Sequence, residues 1–118
     1  MARPKKTKRV CSLPENNLYG PIQINRHQQE DVFMTVEEYE VMRILDYEGL
    51  NQEACAQALG VARSTVQRIY DNARQKIADS IVNGKRLKIQ GGDYKLCSDF
   101  DEKVPCKINF CYKKRQDE

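Results

Sequence analysis

Residues 51–84 read NQEACAQALGVARSTVQRIYDNARQKIADSIVNG, and the fold turns on how this stretch divides. Asn51 is a favourable N-cap for a short helix over 52–59 that stops at Gly60. A second helix begins near Arg63 and runs to about Asn83, with Gly84 behind it. Val66, Ile69, Ala73, Ile77 and Ile81 recur at steps of three and four, as one buried stripe requires. Two helices joined by so short a turn bury one another only under steric rules. Ala56 is small where the helices cross, and Gly60 can take the positive φ of the turn. Cys55, Leu59, Val61, Val66 and Ile69 are apolar at the core-facing positions, while Gln57, Arg63, Ser64, Thr65, Gln67 and Arg68 point outward. The pattern predicts a helix-turn-helix at about 52–74.

Outward from this block, Thr35 followed by Glu38 is a capping-box pattern. Val41, Met42, Ile44 and Leu45 give the helix behind it an apolar face, and Gly49 ends it. Its acids, Glu37, Glu38, Glu40, Asp46 and Glu48, read as a solvent face. Leu87, Ile89, Tyr94 and Leu96 alternate with polar neighbours around Gly91 and Gly92, a hairpin signal. Strands at 9–13 and 106–112 also fit the pattern. The expected fold is mainly α, a three-helix core followed by a small β-hairpin or sheet. The expected organisation is a basic flexible arm over 1–9, a helix-turn-helix domain over 10–84 and a β and cysteine-containing segment over 85–118.

Charge segregates along the 118-residue chain more than its net value of +3 indicates. Arg3, Lys5, Lys6, Lys8 and Arg9 face no acid in the first ten residues, and Arg63, Arg68, Arg74 and Lys76 face only Asp71. Such segregation puts positive potential where a polyanion can be met. On the outward face of the long helix, Arg and Gln suit guanine and adenine edges in the major groove, and Ser and Thr suit phosphate or a base edge. Arg63, Ser64, Thr65, Gln67 and Arg68 are therefore the candidate base-contacting residues. Arg74 and Lys76 lie further along and would serve the DNA backbone. Arg3, Lys5, Lys6, Lys8 and Arg9 would follow the backbone or a minor groove. The alternative is a helical hairpin whose polar face meets only water, with a solubilising tail.

Several stretches together resemble one family: MARP at 1–4, RVCSLP at 9–14, MTVEEYE at 34–40, YEGLNQEA at 47–54, LGVARSTV at 59–66 and VNGKRLKIQGG at 82–92. They are similar to the UPF0251 (DUF134) family of predicted DNA-binding proteins, over about residues 1–95. The helical block is also similar to region 4 of bacterial sigma factors. The resemblance implies a prokaryotic transcription regulator reading double-stranded DNA in the major groove. One position departs from the pattern: Ala62 stands where the family usually has a serine cap.

No apolar run approaches the roughly 18 residues of a membrane span, and the basic N-terminus precedes no apolar stretch that would make it a secretory signal. The five cysteines, an odd number, do not form a disulfide framework pattern. The expected compartment is the cytoplasm. Cys11, Cys97, Cys106 and Cys111 could supply four thiolates to zinc if the N-terminal strand lies beside the hairpin, although no C-x-x-C pair is present; plain thiols or a redox sensor are the other readings. Cys55 belongs to the helical core. His27 lies in a polar stretch, and no phosphate loop, H-E-x-x-H or nucleophile elbow occurs. The expected protein is no enzyme and needs no cofactor. It would bind duplex DNA as a homodimer, since one helix-turn-helix reads few base pairs. The rival readings are a module binding RNA polymerase or another protein, and a metal- or redox-responsive regulator.

Overall fold

Thr35 accepts a hydrogen bond from the Glu38 N–H while the Glu38 carboxylate accepts from the Thr35 N–H, so the capping box starts the first helix as read. The computed structural model describes residues 7–23 and 30–97. Its elements are β1 (Lys8–Val10), β2 (Leu18–Tyr19), β3 (Asp31–Met34), α1 (Val36–Met42), α2 (Gln52–Leu59), α3 (Arg63–Asn83), β4 (Arg86–Ile89) and β5 (Tyr94–Leu96). The fold is mainly α with two small sheets. Between α1 and α2 the chain widens into a π-helical turn, Arg43–Tyr47. The sequence reads as one continuous helix there, because a π turn keeps helical apolar spacing over so short a run.

Two apolar clusters hold the elements. The first gathers Val41 and Ile44 with Cys55 and Leu59 of α2 and Val66 and Ile69 of α3. The second gathers Val10, Val32, Met34, Val36, Leu87 and Ile89 against Ala73 of α3. Full burial of side chains such as Ile44 and Leu59 stabilises by about 1.5–3 kcal/mol each. Cys55 acts as one of these apolar groups: burial first, then the field of Glu40, pushes its thiol up to about 12.

α3 thus spans both clusters with one stripe, but the stripe is shorter than its periodicity suggests. Ile77 is half-buried, whereas Ile81 is 76% exposed. A 21-residue helix is roughly 30 Å long, and its last turn overhangs the body that the stripe covers.

The strands correct a second expectation. Residues 86–97 do not form a hairpin. β4 lies between β2, antiparallel to it, and β3, parallel to it. β5 instead runs parallel to β1, with Val10 opposite Leu96. Gly91 and Gly92 carry the chain from one sheet to the other. A Cβ on Gly92, at φ +112°, would stand 1.9 Å from Glu37 Oε1, so this glycine serves a close backbone approach and not a tight turn. The expected strand at 106–112 lies outside the described residues.

The acids of α1 are the third correction. Glu37, Glu38 and Glu40 are buried, not solvent-facing. Each takes one cation and one backbone N–H. Glu37 pairs with Lys8 (3.2 Å) and accepts from the Asp93 N–H (2.9 Å). Glu38 pairs with Lys76 of α3 (2.6 Å) and accepts from the Thr35 N–H (2.8 Å). Glu40 pairs with Arg43 (2.5 Å) and accepts from the Cys11 N–H (2.7 Å). Burying a carboxylate is tolerable only with such compensation. The result ties α1 to β1, to the loop before β5 and to α3.

Candidate nucleic-acid interface

The helix-turn-helix is built as its spacing requires. Asn51 caps α2 by accepting from the Ala54 N–H at 2.8 Å. α2 ends at Gly60, whose φ of 72° a side chain would strain, and the N–H groups of Gly60 and Val61 both donate to the Ala56 carbonyl. Cys55, Ala56, Ala58 and Leu59 of α2 face Val66 and Ile69 of α3 in the first cluster. Burial of this stripe rotates the other side of α3 outward. Arg63, Ser64, Gln67, Arg68 and Arg74 are exposed there, and Thr65 is half-buried.

Among the described residues, Arg63, Arg68 and Arg74 form no salt bridge, so no described carboxylate neutralises their charge. Arg74 instead lies over the Tyr70 ring, 5.3 Å from its centroid, a contact that steadies a long side chain. Tyr70 in turn donates its hydroxyl to Asp46 at 2.8 Å, and this hydrogen bond, helped by desolvation, raises the Tyr70 hydroxyl above its ordinary range. A polar chain links the two helices: Arg63 Nε donates to Gln52 Oε1 (3.4 Å), Gln52 Nε2 donates to Gln67 Oε1, and Gln67 Nε2 donates to Asp71 Oδ1 (2.9 Å). Gln52 was not singled out in the sequence. Its position as the first residue of α2, beside a crossing at Ala56, was the available signal.

Ala62 stands at the N-cap of α3 and makes no side-chain cap bond, while the Thr65 and Val66 N–H groups both use its carbonyl. A hydroxyl here would take up a first-turn N–H. We expect Ala62→Ser to raise the free energy of unfolding by about 1 kcal/mol, read from urea denaturation midpoints; an unchanged midpoint contradicts the open cap.

Other expected site residues are placed differently. Lys8 is buried in β1 against Glu37, with Asp93 at 3.7 Å, because the parallel pairing of β1 and β5 draws it into the fold. It is therefore not carried on a free arm. Arg9 is half-buried, and its Nε donates to Cys97 Sγ at 3.4 Å. Lys76, assigned to DNA backbone, is engaged by Glu38. Arg3, Lys5, Lys6 and His27 lie outside the described residues.

The pairing of β1 with β5 does bring Cys11 and Cys97 into the same cluster, at the positions following Val10 and Leu96. Cys106 and Cys111 lie outside the described residues. Among the described residues no group of three or more His, Cys, Asp or Glu side chains is arranged to hold a metal ion. No helix among them is long and apolar enough to cross a membrane.

The family model described as "Protein of unknown function DUF134" matches residues 1–97. A UPF0251 protein of Desulfitobacterium hafniense (strain Y51) is 49% identical over 116 residues, covering 98% of this chain and 90% of its own. A UPF0251 protein of Caldanaerobacter subterraneus is 47% identical over 96 residues, covering 81% of each chain. No solved structure gives a significant match.

Proposed function

From the premise that this chain belongs to the DUF134 family, we propose that it binds double-stranded DNA, with α3 in the major groove, as a transcription regulator and not as an enzyme. The observation that carries the reading is the outer face of α3. Three exposed arginines without carboxylate partners among the described residues flank Gln67 on a helix whose opposite side is locked into both apolar clusters. A helix held this rigidly through α2 and α1 can enter a groove as a unit. Arg63, Ser64, Thr65, Gln67 and Arg68 would approach base edges, and Arg74, further along, a phosphate. Arg3, Lys5 and Lys6 would add sequence-independent contacts, in the cytoplasm where DNA is met. One helix-turn-helix covers few base pairs, so a second copy is part of the reading.

The test is duplex binding by fluorescence anisotropy across a salt series. We expect log affinity to fall steeply and linearly with log salt, each phosphate contact adding about 0.9 to the slope. The Arg63→Ala/Arg68→Ala double variant should bind at least tenfold more weakly, since a good base-edge arginine is worth about 1–3 kcal/mol. Tight, salt-insensitive binding, or an unaffected double variant, would contradict the assignment of this face. No binding to any duplex at low salt would favour a module that docks on a protein such as RNA polymerase.

A further inference from the structure

The polar chain across the helix-turn-helix has a direction that its two ends impose. Asp71 is a carboxylate and can only accept, so Gln67 must turn its Nε2 toward it. That leaves Gln67 Oε1 to face Gln52, which must then present its own Nε2. Gln52 Oε1 is left to face Arg63, a guanidinium that can only donate. Neither amide can be reversed without setting donor against donor or acceptor against acceptor. An exposed glutamine ordinarily turns its amide freely. Here its orientation is dictated from both sides.

The count of what remains open on Gln67 is specific. Its Oε1 has two lone pairs and gives one to Gln52; its Nε2 has two hydrogens and gives one to Asp71. Among the described residues, one acceptor and one donor stay available on this exposed side chain, in a fixed order. In the major groove, adenine offers the complement, a donor at N6 beside an acceptor at N7. We infer that Gln52 and Asp71 are positioning residues that clamp the Gln67 amide for reading an adenine, and so set base preference at one position of the target. This rests on the duplex-binding reading above and specifies it. Asp71 is the counter-intuitive member: an anion on a DNA-facing surface opposes affinity, and here it would serve specificity.

The test is selection from a random duplex library with the wild-type chain and with Gln67→Ala, Gln52→Leu, Asp71→Asn and Asp71→Glu, followed by sequencing. Anisotropy with an unselected duplex runs alongside. The wild type should enrich adenine at one position, identified by its loss in Gln67→Ala. Asp71→Asn, whose amide can accept or donate, should reduce that enrichment by about three- to tenfold while binding the unselected duplex slightly more tightly, because a negative charge is gone. Gln52→Leu should lose the enrichment likewise, and Asp71→Glu, still acceptor-only, should keep it. A merely structural role for Asp71 would lower both readouts together. Unchanged adenine enrichment in Asp71→Asn and Gln52→Leu, with duplex binding intact, overturns the clamp alone. Absence of duplex binding by the wild type overturns the reading beneath it as well.

Discussion

Glu40→Ala is expected to lower the free energy of unfolding by about 3–5 kcal/mol, the range for removing one partner of a buried ion pair. Glu40 is 1% exposed and holds both the Arg43 guanidinium and the Cys11 N–H. Burial opposes the charge on Arg43, yet the hydrogen bond and field of Glu40 outweigh it and hold the guanidinium above its ordinary pKa. Without Glu40, Arg43 retains Glu48 at 3.3 Å, while the Cys11 N–H loses this acceptor. Urea denaturation followed by circular dichroism measures the change. A loss below about 1 kcal/mol, the usual figure for an exposed pair, would contradict the buried lock.

Gly92→Ala is the second large effect. A Cβ there meets Glu37 Oε1 at 1.9 Å and Thr35 Cβ at 3.0 Å, on a backbone at φ +112°. Conformational strain of this kind costs about 1–3 kcal/mol. Displacing the Glu37 carboxylate further removes its bond to the part-buried Asp93 N–H and weakens its pairing with Lys8, and such a hydrogen bond is worth about 0.5–1.5 kcal/mol. The thermal midpoint should therefore fall by about 10 °C or more for a domain of this size, at about 4–8 °C per kcal/mol. Gly91→Ala should be milder, since at φ 74° its Cβ meets nothing within 4 Å. Equal losses at the two positions would contradict the close approach.

The helices were legible because their signals are local. Thr35 with Glu38, Asn51 with Ala54, and Gly60 at the turn each act within three or four residues, and the structure places all three as the sequence implies. What was not legible depends on partners distant in the chain. Glu37, Glu38 and Glu40 resemble a solvated face until Lys8, Lys76 and the Cys11 N–H, from 29 to 38 residues away, arrive to bury them. The paired glycines carry the same ambiguity. They suit a hairpin or a close approach equally, and β1 and β3, both remote, decide between them. Ile81 keeps the α3 period but overhangs the body, because periodicity does not report where a core ends.

The candidate interface divides in the same way. The outward set on α3 follows from which positions the core takes, so Arg63, Ser64, Gln67, Arg68 and Arg74 emerge exposed. The basic stretch at 1–9 reads as a unit, yet Lys8 is held inside by its strand pairing; Lys76, on α3 itself, is likewise taken up by the buried Glu38. Charge runs identify cations without saying which of them the fold will neutralise.

The most direct test of duplex binding through α3 is backbone amide chemical-shift mapping of the full chain titrated with a short duplex at low salt. Perturbations are expected to concentrate at residues 51–53 and 63–74, with little change at Leu18, Phe33 and Lys88 on the outer face of the three-stranded sheet. Perturbations centred on that sheet face, or none at all, would contradict it.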